Sequence, residues 1–189
     1  MTKIDSRMAL LFDFQTIQQL GFLGWASRLV FAERIVYWIA GFSVFVLYPI
    51  FGVGLANIGF LIPQTMTAFG YSLPEVLRIY LNNTFIPNAK NLWVRILGET
   101  GIVGFSVFVA WLWVAWKTAR AIERHPSPIA QAMGLTGQVV IVGLIFEGFS
   151  LDTFALPYYW ITLGLVLAVY RIFFHQAPVV EAETATATA

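Results

Sequence analysis

Cysteine is absent from the 189 residues, and histidine occurs only at His125 and His175. A chain without thiols forms no disulfide, thiolate nucleophile or thiolate metal site, and two histidines in short loops at helix ends do not compose a zinc centre. Neither a metal nor another cofactor is expected. Charge is scarce too, with Lys, Arg, Asp and Glu at 11% and a formal net charge of +1. Such a chain lacks the basic footprint of a nucleic-acid binder, so no nucleic-acid partner is expected. The opening MTKIDSRMALLFDFQ brackets a short apolar stretch with Asp5 and Asp13 and offers no small-residue cleavage site, so it does not read as a signal peptide.

What is abundant is apolar surface. Apolar residues make up 59%, with 17 Phe, 7 Trp and 7 Tyr. The remaining polar side chains are too few to clothe a soluble globule of this size, so lipid must be the solvent for much of the surface. Aromatic rings suit helix flanks at the headgroup level. The expected fold is all-α, an integral membrane helical bundle of about four membrane-embedded helices with one long outer loop.

Charges collect between the apolar runs and divide the chain. Residues 1–34 mix Gln, Asp and apolar residues at near-helical spacing and read as an amphipathic, interfacial segment. The membrane domain covers 35–174, with the outer loop at 52–98. Its first apolar run, 35–51, is at about 17 residues the lower limit for a crossing, and would equally suit a helix lying along the outer face. Clearer spans begin at Gly101, near Ile129 and near Leu156. The tail 175–189 has no apolar period and reads as disordered.

Orientation follows the basic connector KTARAIERHPSP, whose Lys117, Arg120 and Arg124 belong on the cytoplasmic side. The next two spans then run outward and inward, leaving Arg171 and the C-terminus cytoplasmic. The loop 52–98 is thereby placed outside.

Within that loop, PNAKNLWVRILGETGIVGF starts a helix that continues into the Gly101 span, with Pro87 and Asn88 as candidate caps. Asn91, Arg95 and Glu99 follow one another at steps of four and form a polar stripe. Two readings stand side by side. In one, Arg95 and Glu99 are an exposed ion pair and Lys90 anchors the headgroup level. In the other, Lys90, Asn91 and Arg95 face a phosphorylated, lipid-linked substrate whose charge fixed cations offset.

Two segments, ERIVYWIAGFSVFVLYPIFGVGLANIGF and PNAKNLWVRILGETGIVGF, resemble the O-antigen ligase and polysaccharide polymerase family of bacterial envelope proteins. Arg34, Trp38, Pro49, Gly52 and Gly54 match the first part of the family pattern. Asn91, Trp93, Leu97, Glu99 and Gly101 match the second. The resemblance implies a bacterial inner-membrane, multi-pass protein that transfers or polymerises a glycan carried on undecaprenyl diphosphate. The acceptor would be another glycan or lipid A core, as in lipopolysaccharide synthesis, with no metal or nucleotide sugar. It implies Arg34 and Lys90 as catalytic residues and Asn91 and Glu99 as substrate-binding ones, and the polar stripe adds Arg95 to the substrate-binding set. Lys90 stands where the family carries a histidine proposed as base or diphosphate-activating group; a lysine is a cation at neutral pH, so electrostatic holding of the diphosphate is its natural role. Only the C-terminal part of the family's array of helices is covered, which implies a missing N-terminal half among the partners. The alternative is a non-catalytic remnant, or a membrane partner subunit of a larger complex.

The two arms make different geometric demands. If 35–51 crosses the membrane from inside, Arg34 and Lys90 lie on opposite faces and share no site. If it lies on the outer face, they can.

Overall fold

A computed structural model describes residues 14–28, 31–82, 86–153 and 155–174. The tail 175–189, the first thirteen residues and parts of the expected interfacial segment lie outside the described residues. All elements among the described residues are helices: α1 Phe14–Arg28, α2 Ala32–Leu47, α3 Ile58–Thr65, α4 Ala68–Tyr71, α5 Pro74–Asn82, α6 Leu92–Glu123, α7 Pro128–Glu147 and α8 Pro157–Phe174. The all-α expectation holds. Segment 52–98, expected as a loop, carries three short helices of its own.

Three helices, α6, α7 and α8, are long and apolar enough to cross a membrane. At 1.5 Å per residue α7 covers about 30 Å, the thickness of the hydrocarbon core. The run 35–51 becomes α2, whose 16 residues cover only about 24 Å.

The chain divides into two compact units, Met1–Ser106 with Gly148–Asp152, and Val107–Glu147 with Thr153–Ala189. In the first, α2 buries Val36, Tyr37, Ala40, Gly41 and Val44 at helical spacing, packed with Ile58 and Ile62 of α3. Gly41 lets α6 close in, since a Cβ there would stand 2.7 Å from Val94 Cγ1. The other face of α2 is also apolar, with Ile39, Phe42 and Val46 exposed, and Ile50, Phe51, Leu55 and Phe60 after it are exposed as well. A surface of this kind is built to face lipid or a partner rather than water.

The decisive local feature is a break in α6 at Gly101, which adopts φ 64° and ψ −166°. An unbroken helix would join the amides of Ile102 and Val103 to the carbonyls of Gly98 and Glu99. Here those amides donate to Pro49 O (2.8 Å) and Ile50 O (3.3 Å), while Gly98 O and Glu99 O accept from Val53 N (3.0 Å) and Gly54 N (2.8 Å). The turn after α2 thus satisfies the four groups that the break frees, as backbone withdrawn from water requires. Gly52 is needed for the same reason: its φ is 67°, and a Cβ would overlap the Glu99 carbonyl.

In the second unit α7 packs on α8. Ala130, Gly134, Gly137 and Ile141 are buried along α7, and a Cβ on Gly137 would meet Val166 of α8 at 2.8 Å. Small residues at such positions let membrane helices approach closely. Gln138 Nε2 donates to Glu123 Oε2 at 2.8 Å, a bond from α7 to α6. Pro128 and Pro157 stand at the first positions of their helices, where the absent N–H costs nothing.

Candidate functional site

α6 begins at Leu92, later than the expected caps Pro87 and Asn88. The reason is local: Lys90 holds a left-handed backbone at φ 54°, which no helix continues through. Asn91 supplies the cap, its Oδ1 accepting from Val94 N at 3.1 Å. That side chain is 2% exposed, so Asn91 serves α6 directly. A non-glycine residue in this conformation costs on the order of 1 kcal/mol or more, and persists where its surroundings hold it.

Those surroundings are specific. Lys90 Nζ pairs with Glu75 Oε1 at 2.8 Å and lies 5.6 Å from the centre of the Tyr37 ring. Lys90 O accepts from Trp38 Nε1 at 3.1 Å. Burial, with the nearby carboxylates of Glu75 and Glu33, pushes the Tyr37 phenol up to about 12. Tyr37 therefore stays neutral below the lysine.

One turn onward, Arg95 Nε donates to Glu99 Oε1 at 3.1 Å and its Nη1 to Asp152 O at 2.5 Å. Glu99 is 3% exposed, so this is no surface pair; the guanidinium offsets a buried carboxylate. Arg34 Nη1 donates to Ser150 O at 2.6 Å and approaches Ser150 Oγ at 3.3 Å. No carboxylate among the described residues forms an ion pair with Arg34. The groups that accept from it, the Ser150 carbonyl and hydroxyl, are neutral.

Segment Gly148–Asp152 ties these parts together. Gly148 O accepts from Leu92 N at 2.7 Å, Ser150 receives Arg34, and Asp152 O receives Arg95. Two residues apart in the chain, the last two acceptors keep the guanidinium groups within about 12 Å of each other. Arg34 is also one turn from Trp38, which bonds Lys90. Arg34 and Lys90 accordingly lie at the same end of α2, which removes the geometric objection to a shared site.

All five residues expected from the sequence, Arg34, Lys90, Asn91, Arg95 and Glu99, fall in this one unit. The sequence reading missed Glu75 and Tyr37 as partners of Lys90, and Gly148–Asp152 as the support of both arginines. No spacing rule connects them, because 15, 53 and 116 residues separate Lys90 from Glu75, Tyr37 from Lys90, and Arg34 from Ser150. In the sequence, Tyr37 stands three residues after Arg34, a proximity that carries no information about Lys90.

Comparison with known proteins gives one finding: a family model described as O-antigen ligase matches residues 5–109. That range contains Arg34, Lys90, Asn91, Arg95 and Glu99. No curated protein and no solved structure matches the chain.

Proposed function

Since the chain belongs to the O-antigen ligase family, we propose that it transfers or polymerises a glycan carried on a polyprenyl diphosphate, at the bacterial inner membrane with its C-terminus cytoplasmic. The observation that carries this reading is Arg34: a guanidinium fixed on Ser150, near Lys90 and Arg95, with no ion-paired carboxylate among the described residues. A diphosphate is the kind of group such a cation binds. The first amides of α6 are not free to share the task, since Leu92 N is bonded to Gly148 O and Val94 N to Asn91. Anion binding is therefore left to side chains.

In the reaction, an acceptor hydroxyl attacks the anomeric carbon while the diphosphate departs with the bonding electrons. Charge develops on the leaving oxygens, where Arg34 and Lys90 stabilise it. Arg95, held by Glu99, positions the segment that holds Arg34. Lys90 keeps the electrostatic role expected of a lysine in the histidine's place. The partners of this reading are membrane lipid, an undecaprenyl diphosphate-linked glycan donor and a glycan or lipid A core acceptor.

The test is glycan attachment in cells that depend on this chain, read from the envelope polysaccharide profile. Arg34→Ala and Lys90→Ala, each with normal membrane abundance, are expected to abolish attachment. A normal profile with both variants, or with the gene deleted, would overturn the transfer reading in favour of a non-catalytic partner subunit.

A further inference from the structure

This inference rests on the transfer reaction proposed above, which requires a group to take the acceptor hydroxyl's proton. Lys90 does not supply it, because an ammonium is a donor only and this one is engaged with Glu75. We propose that Glu75 is the catalytic base, taking the proton of the acceptor hydroxyl from its place beside Lys90.

Glu75 opens α5, and its Oε1 alone is engaged among the described residues, by Lys90 Nζ at 2.8 Å. Both side chains are about one third exposed, so a substrate can reach the pair. Next to it, the residue after Glu75, Val76, helps line a cavity of about 210 Å³ together with Tyr37, Ile62, Met66, Tyr71 and Tyr80. This exceeds the roughly 150 Å³ that accommodates a benzene-sized ring. Its size and phenol-rich wall suit one sugar ring of an acceptor, with apolar faces to stack and hydroxyls at the rim. Tyr37 belongs to the cavity wall and also lies under Lys90. An acceptor seated there meets Tyr37, whose ring centre lies 5.6 Å from Lys90 Nζ, the partner of Glu75.

The step balances without a further reagent. Glu75 takes the hydroxyl proton, the acceptor oxygen forms a bond to the anomeric carbon, and the carbon–oxygen bond to the diphosphate breaks with its electron pair passing to the diphosphate. Glu75 then returns the proton to solvent. A diphosphate departs without needing a proton, so one carboxylate base is enough for this transfer. The charged and titratable groups facing Glu75 are Lys90 and Tyr37, with Glu33 across on α2 and Arg78 one turn along α5.

The experiment measures transfer from a lipid diphosphate-linked glycan to an acceptor in membranes containing the full chain, from acid to neutral pH. Wild type is expected to slow toward acid pH; Glu75→Gln, whose amide oxygen can still accept from Lys90, is expected to lose at least about 100-fold and to lose that acid limb. Glu75→Asp keeps the limb, and formate restores part of the rate of Glu75→Ala. A Glu75→Gln protein that works at the wild-type rate, or is slow with an unchanged acid limb and no formate rescue of Glu75→Ala, overturns the assignment while leaving the transfer reading intact. If Glu75→Gln fails to accumulate, the presence or absence of formate rescue in Glu75→Ala decides in the same way. Absence of transfer by wild type itself overturns the underlying reaction, and this assignment with it.

Discussion

Replacing Gly101 by alanine tests the central structural claim, that α6 is broken so that the turn after α2 can lock against it. Two costs combine. At φ 64° and ψ −166° the backbone occupies a region open essentially to glycine, and a side chain there costs on the order of 1–3 kcal/mol. The added Cβ would also overlap the Ile50 carbonyl, which is main chain and cannot rotate aside. Relief requires displacing the turn that carries Pro49 O and Ile50 O, and with it the bonds from Ile102 N and Val103 N. Overpacking of this kind adds about 1–3 kcal/mol. Together the loss is about 4 kcal/mol, which for a domain of this length lowers Tm by about 10 °C. The assay is thermal unfolding of the purified protein in detergent, followed by tryptophan fluorescence. Gly164→Ala is the control, because a Cβ there meets nothing within 4 Å, and it is expected to be neutral or slightly stabilising. A Gly101→Ala protein melting within about 2 °C of wild type would refute the break and the accounting of its hydrogen bonds.

Three further outcomes follow from the site. Arg95→Met strands the buried Glu99 and is expected to cost about 2–3 kcal/mol, discounted for the partial exposure of the arginine, whereas Arg95→Met with Glu99→Gln recovers much of it; the double-mutant cycle in thermal unfolding measures the difference. Asn91→Ala removes the α6 cap and is expected to cost about 1 kcal/mol, with Asn91→Asp close to wild type in the same assay. The Tyr37 phenol, raised from 10.0 to about 12, binds its proton more tightly in the folded state, so its stabilisation is complete below pH 10 and is lost as pH rises through about 12; Tyr37→Phe is expected to lessen the alkaline fall of stability by about 2–3 kcal/mol in pH-dependent melting.

Much of the candidate site was legible where the chemistry is local. Asn91, Arg95 and Glu99 share a helix stripe because four residues advance the helix by about one turn, and that relation survives whatever packs around it. Their roles were not legible. Spacing alone allowed Arg95 and Glu99 to be an exposed pair, and burial, a property of neighbouring elements, made it a buried one. Likewise Gly52 and Gly54 stood in the sequence only as matches to the family pattern, while the break at Gly101 that their turn locks against lies far along the chain.

By itself the sequence determined the solvent and the class of elements: scarce charge and long apolar runs leave helices in lipid as the way to satisfy the backbone. It also placed Arg34, Lys90 and the polar stripe in the motif order that carries the family resemblance. Only the tertiary structure decided that Arg34 and Lys90 lie at one end of α2, that Glu75 answers Lys90, and that Gly148–Asp152 holds both arginines. Those contacts join residues tens to more than a hundred positions apart, and local propensity carries no record of which distant carbonyl a guanidinium will meet.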